Sequence, residues 1–150
     1  MCRFLFIAMT CAGLSALVSV PVSGQASEGF VVVVNAANSV TSLTPSDLSK
    51  LFLRKLTRFS NGRPAVPVDQ VETCALRKHF STAIHGMDVP DVKSYWQELV
   101  FSGRAEPPIE RQSDEDVVAF VHSNPNAIGY VIVGTPLGDV KAIAVIRNLP

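Results

Sequence analysis

Residues 116–131 read DVVAFVHSNPNAIGYV, and the order of the parts decides the fold class. Val117, Phe120 and Val121 recur at helical spacing, so this stretch is an amphipathic helix with one buried face. Upstream, Ser113 can cap the helix, with Asp116 at the third position in a box-like arrangement. Asn124-Pro125 stops it. Ala127 to Val133 then forms an apolar run that reads as a buried strand. A helix delivering a buried strand across a short turn is half of an α/β repeat.

The same alternation extends outward. Downstream, Val140 to Ile146 forms a last strand. Upstream, a helix spans about Val89 to Phe101, with Asp88 as N-cap and Pro90 in the first turn. Its apolar face is Val92, Tyr95, Trp96, Leu99 and Val100, and Gly103 closes it. Pro107-Pro108 is a rigid extended link. Before that, a helix from about Thr73 to Ile84 turns Leu76, Phe80 and Ala83 or Ile84 inward and ends at Gly86. It follows a short strand, Ala65 to Val68, whose Pro67 has no N–H; the strand lies near an edge or pairs imperfectly. Asn61-Gly62 is a turn. Thr44-Pro45-Ser46-Asp47 opens a helix with Leu48, Leu51 and Phe52 as its stripe. Asn35 to Thr44 is a polar loop. Phe30 to Asn35, a continuous β-branched run, reads as an inner parallel strand buried on both faces. Strands alternating with helices make an α/β three-layer sandwich with a mostly parallel central sheet.

The first 26 residues read differently. Arg3 precedes an uncharged, mostly apolar stretch from Phe4 to Val20, Pro21 breaks it, and Gly24-Gln25-Ala26 offers small residues for cleavage. This is the pattern of a secretory signal peptide, residues 1–26, followed by one exported domain over 27–150. The small residues inside the stretch weaken it as a membrane span, so none is expected in the mature chain. Removing the signal leaves Cys74 as the sole cysteine, too few for an internal disulfide. The 13 basic and 13 acidic residues balance, and without Arg3 the mature domain carries one net negative charge. That balance argues against nucleic acid as a partner.

No catalytic pattern emerges. The chain has no nucleophile elbow, no phosphate-cradling glycine loop and no zinc-protease helix, and no enzymatic activity, cofactor or metal is expected. His79, His85 and His122 are not spaced as metal ligands, and read as solvated or helix-terminal residues. Cys74 has no sequence-adjacent base to activate it. Tyr95 and Trp96 could form a stacking platform, but at this spacing they read as core. What remains is anion binding at strand-to-helix junctions, where amides and hydroxyls converge. Thr73, Cys74 and Arg77 form one candidate group. Ser39, Thr41 and Ser42 form the second. Ordinary capping accounts for the same residues.

The chain resembles phosphate-type ABC transporter substrate-binding proteins, the type 2 periplasmic-binding-protein class. The resemblance rests on LSKLFLRKLTR (48–58) with Phe59-Ser60-Asn61-Gly62, then on DVVAFVHSNPNAIGYV (116–131), in the family's order. Tyr95-Trp96 to Arg104, with Pro107-Pro108, looks like a short branch of the same superfamily. The resemblance implies a single lobe of a two-lobed fold, exported, binding phosphate or another small oxyanion and working with an inner-membrane permease. Where the family has the anion loop Arg-Ser-Asp-Gly-Ser-Gly-Thr, residues 68–74 read VDQVETC, without the arginine or the glycines. Two other readings stay open: a ligand-free adaptor docking on a membrane sensor or transporter, and a lobe that pairs with a second copy to rebuild a cleft.

Overall fold

Caps set the helix starts. Thr44, Asp88 and Ser113 each accept a hydrogen bond from the backbone N–H three residues on, at 3.1, 2.9 and 3.1 Å. In the computed structural model, which describes residues 29–146, these caps open α1 (Pro45–Phe52), α3 (Val89–Phe101) and α4 (Asp114–Ser123). The fourth helix, α2 (Ala75–Phe80), starts two residues later than the sequence suggests. It runs into a wider π turn, Ser81–His85, closed by Gly86 at φ 65°, a conformation that favours glycine. The segment read as a signal lies outside the described residues.

Six strands form one sheet: β1 (Phe30–Val34), β2 (Ser42–Leu43), β3 (Val66–Gln70), β4 (Ile109–Arg111), β5 (Ala127–Ile132) and β6 (Lys141–Val145), in the order β2-β6-β1-β5-β3-β4. The sheet is mostly parallel: β2 with β6, β5 with β3 and β3 with β4. Helices α1 and α2 pack on one face over Val32, Val34, Ile128 and Tyr130, and α4 covers the other over Val33, Val68 and Val131. This is the expected three-layer sandwich.

Two expectations need correction. The valine run of β1 is central and buried, but antiparallel to both neighbours, with Phe30 opposite Ile132 and Val32 opposite Ile143. A strand buried on both faces looks the same in sequence whichever way it runs. The loop from Asn35 to Thr44 contains a short strand, β2, and the Pro107-Pro108 link leads directly into another, β4. Strands of two and three residues are too short to show alternation. The strand with Pro67 is as expected, near an edge and imperfectly paired: it lies one strand in, meeting β5 only at Val66 and Pro67, and β4 from Val68 onward.

Gly129 explains why the Ala-Ile-Gly-Tyr-Val block needs its glycine. A Cβ there would lie 2.7 Å from Val117 Cγ1 and 2.8 Å from Val68 Cγ1. Helix α4 therefore sits on β5 at a distance only glycine permits. Gly129→Ala should destabilise the fold by about 1–3 kcal/mol through overpacking, measured by urea unfolding. A wild-type midpoint for that variant would mean that α4 is free to move outward.

Candidate functional site

The parallel strands place their C-terminal ends, and the starts of α2 and α4, at one pole of the sheet, where ligands gather in open α/β folds. A cavity of about 270 Å³ opens there, lined by Gln70, Cys74, Ser113, Asp114 and Ile132 among others. Of the first predicted group, Thr73 is exposed and Cys74 half-buried at this pole. Cys74 donates from Sγ to Gln70 Oε1 at 2.9 Å.

Arg77 is at the same pole but turned inward, 5 % exposed. Its guanidinium is in a salt bridge with Asp69, 3 % exposed, and donates to the Gln70 carbonyl at 3.1 Å. Asp69 also accepts from the Tyr130 hydroxyl at 2.5 Å and from the Gln70 N–H at 2.9 Å. Burial pushes the Asp69 carboxyl up, against the opposing pull of Arg77 and these donors. Burial alone would lower Arg77; the Asp69 charge, together with Tyr130, the hydrogen bond to Asp69 and Glu110, outweighs it and holds the guanidinium above its ordinary range. The Tyr130 phenol is raised by burial and then by Asp69, so it stays a neutral donor. Its ring stacks on Phe80 with centroids 3.8 Å apart. The charge of Arg77 is thus consumed within the protein.

Three further donors at this pole converge on Asp114. Gln70 Nε2 donates to one carboxylate oxygen at 2.6 Å, and the Ile132 N–H and Thr135 hydroxyl donate to the other at 3.0 and 2.9 Å. A carboxylate of the chain itself occupies the place where amides and hydroxyls at strand ends would meet an oxyanion.

Ser39, Thr41 and Ser42 are elsewhere. Because β1 is antiparallel, its C-terminal end lies at the opposite pole: Val34 is level with Ile128, the start of β5. Ser39 accepts from Asn61 Nδ2 at 2.9 Å, while the chain then turns back along β6, with Ser42 opposite Ala144 at the outer edge of the sheet, four strands from β3. The two predicted groups therefore do not form one site. Asp69 and Gln70 belong to the same strand-to-helix junction as Thr73 and Cys74; the residues that reading the sequence missed are Asp114 and Tyr130. Asp69 carried a signal, since a charge inside an apolar strand demands a partner. Asp114 carried none, because a carboxylate in the first turn of a helix is explained by the dipole alone. Among the described residues no cluster of histidine, cysteine and carboxylate side chains could hold a metal ion, and no helix is long and apolar enough to cross a membrane.

This architecture is shared with solved phosphate-transport proteins. An ABC-type phosphate transport receptor from Vibrio cholerae matches at TM-score 0.62 and 24 % identity, over 77 % of this chain and 45 % of its own. A Clostridium perfringens protein assigned as a phosphate ABC transporter substrate-binding protein, with bound phosphate, matches at 0.64 and 19 %, over 78 % and 44 %. PstS from Borrelia burgdorferi matches at 0.55 and 12 %, over 81 % and 48 %. No protein-family model matches the chain, and no curated protein does. The resemblance seen in the sequence holds for the fold: residues 29–146 share the architecture of part of these phosphate-transport proteins, and the chain spans less than half the length of these structures.

Proposed function

We propose that this chain is a non-enzymatic recognition lobe of the solute-binding type, exported by residues 1–26 and working outside the cytoplasm. Its target is presented by a second protein surface, such as a permease or sensor in the inner membrane, and the strand-end face does not capture free phosphate alone. The fold shared with phosphate-transport proteins supports the class. The observation that carries the rest is Asp114: its carboxylate already holds Gln70, Ile132 N–H and Thr135, while Asp69 neutralises Arg77. A phosphate entering this pole would meet a like charge and spent donors.

Calorimetric titration of phosphate and sulfate into the purified protein tests this reading. The expected result is no saturable heat at millimolar anion; saturable binding of phosphate would overturn it. A second reading, oxyanion binding completed by another lobe or a second copy, is favoured by the exposed Thr73 beside Cys74, which caps α2 without a side-chain hydrogen bond. On that reading, sedimentation would show phosphate-linked association.

A further inference from the structure

A second cavity, of about 500 Å³, lies between the C-terminal half of α3 and the Pro107-Pro108 entry to β4. It shares no lining residue with the cavity at the strand ends. Its volume falls within the range of roughly 300–1,000 Å³ that small-molecule sites occupy. Trp96 and Phe101 bring aromatic rings to it, and Val100, Pro107 and Pro108 complete an apolar wall. Phe101 is 96 % exposed and Val100 52 %, so the mouth of the cavity is an apolar surface that α3 leaves uncovered.

The charges around this cavity are unequal. Three carboxylates line it, Asp69, Glu72 and Glu110, against two cations, Arg77 and Lys93. Asp69 is paired with Arg77, and Glu72 with Lys93 at 3.2 Å. Glu110 has no salt bridge among the described residues. We propose that this cavity binds a small organic cation with an aromatic or alkyl body, the charge seated against Glu110 and the aromatic rings, the body against the apolar wall. Aromatic faces and a lone carboxylate both attract a cation, and an anion would face the surplus negative charge. Burial raises the Glu110 carboxyl above its ordinary range, Arg77 opposing, Asp69 and Glu72 adding, Lys93 opposing. A cation alongside would hold it ionised.

Trp96 is the only tryptophan in the chain, so its fluorescence reports on this cavity and not on the strand-end pole. The probes are 2-phenylethylamine and 3-phenylpropionate, which share an apolar body and differ in charge. The amine should give a saturable change in Trp96 emission, with the carboxylate clearly weaker. Glu110→Gln should weaken the amine about 2- to 5-fold, the effect of losing one partly exposed ion pair. Val100→Lys, at an exposed position, should abolish the response while circular dichroism stays unchanged. Equal or tighter binding of the carboxylate, no saturable change with the amine, or an unchanged Glu110→Gln affinity would each overturn the proposal. So would concentration-dependent dimerisation that the amine does not displace, which would make this face a contact between copies.

Discussion

Asp69→Asn should destabilise the protein by about 3–5 kcal/mol, the loss expected when one member of a buried ion pair is removed and the other is left charged. Arg77 is 5 % exposed, and its Nε has no hydrogen-bond partner among the described residues even in the wild type. Without the carboxylate, the guanidinium would have only neutral acceptors, the Gln70 carbonyl and the Asn amide oxygen, and no counter-charge. The Tyr130 hydroxyl would also lose its charged acceptor. Urea unfolding of Asp69→Asn, Arg77→Met and the double variant forms a cycle that isolates the pair. The double variant should be less destabilised than the sum of the singles, because it removes the orphaned charge as well as the bond. A cost below about 1 kcal/mol for Asp69→Asn, the scale of an exposed pair, would show that Arg77 reaches water.

Acid should act through His85. Burial lowers its pKa to about 4, with the charges of Arg77 and Lys55 adding, from an ordinary value of 6.5. Its Nδ1 lies 2.9 Å from Ser49 Oγ, and its ring meets Phe80 edge-on at 5.5 Å. As pH falls below 6.5 the unfolded chain takes up the proton first, while the folded protein holds the imidazole neutral. The contribution of a neutral His85 is therefore complete above pH 6.5 and lost as pH falls towards 4. The total loss is at most roughly 3 kcal/mol. Urea unfolding at about pH 7 and about pH 4.5 should show this loss, and His85→Gln should remove about one proton from the pH dependence. Equal slopes for the two proteins would mean that His85 is solvated in the folded state.

The sequence shows the frame of the fold because its signals are local. Thr44, Asp88 and Ser113 cap the helices at the expected positions, and the strand over Ala127–Ile132 follows from its apolar run. The direction of β1 was not legible, since Val31 to Val34 would be buried either way. The strand order was not legible either: β2 is the far edge strand, four strands from β3, and this places Thr41 and Ser42 apart from Thr73, Cys74 and Arg77. The site was legible only in part. Thr73 and Cys74 stand at the pole where the parallel strands end, but Asp114 reaches the donors Gln70 and Ile132 across separations of 44 and 18 positions in sequence. No spacing rule encodes it. Likewise the pairing of Arg77 with Asp69 turned a candidate ligand contact into a structural one.

A crystal structure of the protein grown in phosphate would test most directly whether the ligand pole is filled from within. The account predicts the Asp114 carboxylate on Gln70 Nε2, the Ile132 N–H and the Thr135 hydroxyl, with no phosphate among them. A phosphate held by those three donors, with the Asp114 side chain swung away, would contradict it.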